Sequence, residues 1–205
     1  SLLVIDSEFD VFSVVPDRPV QLLRVSGTDQ WKLPVAMDNF NNNLYILDPA
    51  SNRIHKYQPT ANGYEVDPID YFDPSQDVDV STAIDMAIDG DIFVLLSDST
   101  IERYRAGKKL RFQIRGLDRP ISKATRLYTD VDAESIYIVD DGNDRIVEID
   151  KRDGNEGQFV RQFLYRGADN FFADIRALWI SELDGRLLVL GAESLRQFVL
   201  PKRAE

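Results

Sequence analysis

Apolar and polar residues alternate along this chain in short runs of period two, and the clearest run occurs twice. Residues 44–57 return without a gap as residues 136–149, each position moved by 92. Both copies predict an apolar strand, an acidic turn, an Arg-Ile pair (Arg53-Ile54, Arg145-Ile146) and a second strand. That is a hairpin unit. Weaker copies follow at residues 2–12, 92–104 and 187–198. With Leu2, Leu44, Ile92, Ile136 and Leu187 taken as equivalent, the steps are 42, 48, 44 and 51 residues. Their mean of about 46 suits a four-stranded propeller blade and is too long for a leucine-rich repeat.

Each unit predicts four strands. An inner strand precedes the hairpin at residues 35–37, 84–88, 125–128 and 177–180. An outer strand closes it at residues 20–25, 110–114 and 159–164, with Gly27, Gly116 and Gly167 standing just after, where the chain turns to the next unit. The second strand is nearly all apolar, as expected when both faces are buried; the third and fourth alternate. The predicted fold is an all-β propeller of four-stranded antiparallel blades, in one domain over residues 1–205. Its units are 1–27 (partial), 28–75, 81–117, 122–167 and 173–200. The first unit has no inner strand and the last no outer strand, so an incomplete or fragmentary ring is expected. Either the chain is part of a longer ring, six-bladed by this reading, or another chain covers the open edge. The start at Ser1, directly on a strand, predicts an excised domain or processed product.

Composition narrows the functions. The chain of 205 residues carries 35 acidic and 24 basic residues, a net charge of −11. That argues against nucleic acid and anionic membranes, which need a basic footprint. There is no cysteine, so disulfides, thiolate catalysis and zinc–thiolate sites are excluded. No apolar run approaches the length of a membrane-spanning helix, so no membrane insertion by this segment is expected.

The runs Leu44-Tyr45-Ile46-Leu47-Asp48 to Asn52-Arg53-Ile54, and Ile136-Tyr137-Ile138-Val139-Asp140 to Asp144-Arg145-Ile146, resemble NHL-type propeller repeats. That pattern is an apolar strand ending in Asp, then Asn, then Arg-Ile opening the next strand. Two of the five copies keep it; Gly191 replaces the strand-end Asp in the last, and the turns at Asp98 and Glu193 lack Arg-Ile. The resemblance implies a sensor, scaffold or ligand-binding module of a larger protein. It further implies bacterial signalling, with an extracytoplasmic domain of a membrane-anchored protein as the favoured location. The compartment itself is not readable from the residues.

Candidate sites are few. Asp48 and Asp140, with Asn52, Asp144, Arg53 and Arg145, form either a polar rim for a ligand or, the favoured reading, carboxylates that cap turn amides and pair with the Arg. His55 is the one histidine and reads as an ordinary strand residue, because a triad or metal site has nothing else to build with. The acids at Asp67, Asp70, Asp73, Asp77 and Asp79 lack EF-hand spacing and read as a solvated loop. The inner strands and the turns leading into them face a propeller's channel. Asp38, Asp85, Arg126 and Trp179, with Asp174 and Arg176 nearby, are therefore the candidate ligand- or partner-binding residues. For Trp179, filling core between blades is the favoured alternative.

No nucleophile, base and orienting group come together in the sequence, and no cofactor or metal is expected. The reading is a non-enzymatic module that binds a protein, peptide or small ligand on one face. The alternative is a propeller-type hydrolase or lyase with a carboxylate-bound Ca2+ in the channel. A third reading is self-association through the unpaired blade edge.

Overall fold

The computed structural model describes residues 2–167 and 171–203; Ser1 therefore lies outside the described residues. The fold is an all-β propeller, with five small sheets among the described residues. It divides into two compact units, Ser1–Ser81 and Thr82–Glu205.

The first unit holds two sheets. β1 (Leu2–Ile5), β2 (Val11–Val14) and β3 (Gln21–Val25) form a meander. The second sheet runs β4 (Ala36–Phe40), β5 (Asn43–Asp48), β6 (Arg53–Tyr57) and, as its outer edge, β8 (Ile69–Asp70). Between β6 and β8, the short β7 (Gly63–Tyr64) returns to the first sheet and pairs parallel with β3. A core of Val11, Trp31, Leu44, Ile46, Tyr57 and Tyr64 joins the two sheets, with Trp31 Nε1 donating to the Tyr57 hydroxyl at 2.9 Å.

The β3–β7 pairing depends on Gly63. Its φ is 139°, and a Cβ there would stand 2.5 Å from the Arg24 carbonyl oxygen. Gly63→Ala is expected to cost about 1–2 kcal/mol and to free residues 60–66 for proteolysis. Urea unfolding and limited digestion check this; an unchanged midpoint and cleavage pattern would show that the pairing matters little.

The second unit holds three sheets. The first is β9 (Ala83–Ile88), β10 (Ile92–Leu96), β11 (Ile101–Arg105) and β12 (Lys108–Leu110). The next has five strands. β14 (Ala124–Tyr128), β15 (Ser135–Asp140), β16 (Arg145–Asp150) and β17 (Glu156–Leu164) are antiparallel neighbours, and β13 (Gln113–Arg115) adds to β17 in parallel. The last is β18 (Ala177–Ser181), β19 (Arg186–Leu190) and β20 (Leu195–Val199).

Why the second strand is apolar on both sides is plain in β15. Ile136 and Ile138 pack into the core shared with Phe93, Leu95 and Ile101 of the preceding sheet. Tyr137 and Val139, of opposite parity, pack with Ile180, Leu187 and Val189 of the following one. A period-two strand between two sheets has no solvent side on which to place polar residues.

The predicted outer strand 110–114 is corrected. Residues 108–110 close one sheet and residues 113–115 join the next. Phe112 makes the break: its ring meets Phe93 edge-on at 5.4 Å, and a Cβ on Gly157 would come within 2.8 Å of it. A buried aromatic in mid-run holds the chain to both sheets at once.

The repeated turns follow one rule. Residues 49–51 and 141–143 make a 3-10 turn closed by a residue in the left-handed region, Asn52 (φ 57°) and Asp144 (φ 49°). Asn and Asp tolerate that conformation better than other non-glycine residues.

Candidate functional site

The four complete inner strands all open on alanine, Ala36, Ala83, Ala124 and Ala177, and the third residue of each is a candidate: Asp38, Asp85, Arg126 and Trp179. Three of these strands lie in the second unit. The Leu127 N–H donates to Asp85 Oδ2 at 2.7 Å, joining β14 to β9. Arg126 Nε donates to the Arg176 carbonyl at 2.6 Å, and the Tyr128 hydroxyl bonds the Ile180 carbonyl at 2.9 Å. Both partners advance together in number, so β14 and β18 run in the same direction. Asp85 and Arg126 thereby each face the sheet that follows their own, Arg126 reaching Arg176 there, while Trp179 stands on the opposite side of β18 from Leu178 and Ile180 and points away from β14. Asp174 follows by its ion pair with Arg176 at 3.5 Å, both side chains well exposed.

Two bulges decide how these residues are presented. β9 and β14 each skip a residue after the leading alanine, so that Asp85 pairs with Leu95 and Arg126 with Val139. β18 runs without a bulge and places Trp179 opposite Leu188. Trp179 is 45% exposed, which corrects the expectation that it fills core; Leu178 and Ile180, of the other parity, take that role.

Asp85 is the perturbed acid of these strands. Burial raises its pKa from 3.8 to about 6; the Leu127 and Met86 amides and the Arg126 charge pull the other way. Arg126 donates from Nε to Arg176 and from Nη1 to the Thr125 carbonyl. Chemically, the inner strands of this unit offer a guanidinium, an exposed indole and, in Asp85, a carboxyl that titrates at about 6. These are the residue types that anchor partners.

Asp38 stands apart, in the first unit. Its Oδ1 accepts the Asn39 N–H at 2.7 Å, and it lines a crevice of 530 Å³ between the two sheets there.

The repeated turns are structural, and the two copies differ. Asp140 accepts the amides of Ser122 and Lys123 at 2.9 and 3.2 Å, ahead of the inner strand and not in the turn as expected. It also accepts Arg145 Nε at 2.8 Å and Asn143 Nδ2 at 2.6 Å. Burial would raise its pKa, but these donors outweigh it and hold the carboxyl below its usual range. Asp48 caps Lys32 and Leu33 in the same way, at 2.8 and 3.0 Å. The expected Asp48–Arg53 pair is corrected: Arg53 turns outward to Asp70 at 3.5 Å. His55, 3% exposed, stands beside Asp48 with Nε2 3.6 Å from Oδ2, beyond hydrogen-bond reach. Burial lowers its pKa and outweighs the pull of Asp48, so the ring is neutral at pH 7.

Two buried networks were not foreseen. Glu148 is fully buried and takes Arg161 Nε at 2.6 Å and Arg203 Nε at 2.9 Å. Asp91 is buried and binds Arg103 and Arg105. A sequence signal existed for the second: Arg103 has the parity of Ile101, which puts its charge on the buried face of β11. Among the described residues, no group of three or more His, Asp or Glu side chains is placed to hold a metal ion. No helix among them is long and apolar enough to cross a membrane.

No family model matches the sequence, and no curated protein does either. Solved structures do. A chain of a nidogen/laminin complex superposes with a TM-score of 0.59 at 14% identity, over 93% of this chain and 70% of that one. A functionally unknown protein from Desulfotomaculum acetoxidans gives 0.57 at 12% identity, over 99% and 69%. A catalytically inactive virginiamycin B lyase from Staphylococcus aureus, with quinupristin, gives 0.50 at 12% identity, over 97% and 69%. At these identities the likeness establishes the propeller fold.

Proposed function

We propose that the chain is a non-enzymatic propeller module that binds a partner on the inner-strand face of its second unit. Asp85, Arg126 and Trp179 are the contacts there, with Asp174 and Arg176 at the margin. The carrying observation is the exposed indole of Trp179 on the inner strand β18, on the side of that strand away from β14. A large aromatic left open to water is a residue type that anchors interaction hot spots. One structural neighbour belongs to a protein–protein complex, which fits this reading. The NHL-like hairpins support a sensor or scaffold role within a larger, bacterial signalling protein. The carboxylate–Ca2+ enzyme reading is not favoured. It needs acids on successive inner strands, and Arg126 and Trp179 occupy two of those positions.

Capture from cell extract on the immobilised chain tests this, comparing wild type with Arg126→Ala/Trp179→Ala and with Leu183→Ser as a remote surface control. Partner retention is expected to fall about 10–30-fold in the double variant and to stay unchanged in the control. Retention that survives the double variant, or a turnover that depends on a residue of this chain, would overturn the proposal.

A further inference from the structure

One cavity of the second unit lies away from the inner-strand residues. Its volume is 690 Å³, and three loops line it, at residues 89–91, 133–134 and 151–154. Asp85, Arg126 and Trp179 take no part in its walls. Arg103 does. It shares the covered parity of Ile101 on β11, and its side chain is only 8% exposed. Asp91 holds Nε and Nη2, and the guanidinium lies 5.9 Å from the centre of the Phe93 ring. Nη1 makes no hydrogen bond. Among the described residues, the buried side-chain nitrogen or oxygen without a partner is His55 Nε2, so an unbonded Nη1 opens onto the cavity. Gly154 keeps the space before it clear, since a Cβ there would stand 3.6 Å from Nη1. A guanidinium N–H enclosed to this degree calls for an acceptor.

The charge balance says which acceptor. Arg103, Arg105, Lys151 and Arg152 line the cavity against Asp89, Asp91 and Glu134, four cations to three acids. One positive charge is left over in a chain whose net charge is −11. The three acids are already engaged. Asp91 binds the two arginines of β11, Asp89 binds Lys151, and Glu134 meets Arg152 at 3.2 Å. A carboxylate brings one negative charge and two oxygens that match a guanidinium edge. A phosphomonoester brings about −1.5 to −2 and would set surplus charge against Asp91 and Asp89.

We propose that this cavity binds a small organic carboxylate. One of its oxygens accepts from Arg103 Nη1. Arg105 and Arg152, with side chains 63% and 61% exposed, draw it in from the mouth. Lys151 is fixed in the wall by Asp89, by Thr129 Oγ1 at 2.6 Å and by the Asp130 carbonyl at 3.0 Å. The body of the ligand fills the rest of the cavity, whose size is that of a small-molecule site. This site is separate from the partner contacts at Asp85, Arg126 and Trp179.

Benzoate is the probe, titrated into the full chain at constant ionic strength, with inorganic phosphate in parallel. The side-chain Nε–H resonance of Arg103, identified by its loss in Arg103→Lys, is expected to shift and to saturate in the millimolar range. Phosphate should bind at least about tenfold more weakly. Arg105→Ala removes an exposed side chain and should weaken benzoate about tenfold with the fold retained. Arg115→Ala, at a half-exposed arginine outside the cavity, should leave binding unchanged. Where Arg103→Lys does not fold, calorimetry of the wild type against Arg105→Ala makes the same comparison. No saturable binding, binding indifferent to Arg105→Ala, equal loss in Arg115→Ala, or phosphate held as tightly as benzoate overturns the proposal.

Discussion

Arg145→Ala is expected to lower the free energy of unfolding by about 3–5 kcal/mol, while Arg53→Ala, at the matching position of the other repeat, costs less than about 1 kcal/mol. Arg145 is fully buried, and all three of its guanidinium nitrogens are engaged. Nε donates to Asp140; Nη1 donates to Asp118 at 2.8 Å and Gln162 at 3.0 Å; Nη2 donates to the Arg119 and Pro120 carbonyls at 2.7 and 3.2 Å. Truncation strands the fully buried Asp140 carboxylate and two carbonyls together. The Ser122 and Lys123 amides remain on Asp140, which favours the lower half of the range. Arg145→Lys keeps the charge but cannot serve five acceptors from one ammonium, and should recover only part of the loss. Arg53 is 53% exposed and its partner Asp70 39%, so water replaces that pair at little cost. Urea unfolding of both variants decides the matter; equal costs would mean that the buried network is not what stabilises the blade.

The sequence shows the hairpin twice but not this inequality. The reason lies outside the hairpin. Asp70 stands opposite His55 as Gln162 stands opposite Val147, so the outer strands are in register. But β8 ends at Asp70, whereas β17 runs on to Leu164, opposite Arg145. A covered arginine must be bonded at every donor; an uncovered one is solvated. Coverage depends on the length of a strand that is interrupted by Pro68 and Pro74 in one repeat and continuous in the other. The local pattern carries the turn and the two strands, and the burial of the Arg is set 19 residues later, where β17 reaches Leu164.

The candidate site was legible to a similar depth. Counting along each inner strand from its alanine finds Asp85, Arg126 and Trp179, because the repeat fixes which strand is innermost. It does not find their orientation. Parity is reset by the bulges in β9 and β14 and not in β18. With the skips, Asp85 and Arg126 face the following sheet, which is how Asp85 comes under the Leu127 amide; Trp179 faces the same way without a skip and is open because, among the described residues, no sheet of this unit follows its own. A one-residue skip inverts the exposure expected from alternation, and no residue type in these strands announces it.

That enclosure of Asp85 has a measurable consequence: raising the pH is expected to destabilise the wild type more than Asp85→Asn. The folded carboxyl titrates at about 6 because burial penalises its charge, against about 3.9 for an unfolded aspartate. Between those values the folded state binds more protons than the unfolded one, so stability falls as pH rises. The effect spans about 3 kcal/mol in full, present below pH 4 and lost above pH 6. Between pH 5 and 7.5 the wild type should lose about 1–1.5 kcal/mol more than the variant, whose amide does not ionise. Asn keeps one acceptor for the Leu127 N–H but turns its NH2 toward the Met86 N–H, so the variant starts lower at pH 5 and closes the gap by pH 7.5. Parallel curves for the two proteins would mean that Arg126 already holds Asp85 ionised throughout. In that case the Asp85 charge is fixed, and the affinity of a partner that meets it would not vary over this pH range. If the curves converge as expected, the carboxyl is half-charged near pH 6. A cationic partner then has to ionise it to bind, and its affinity should rise with pH through the same window.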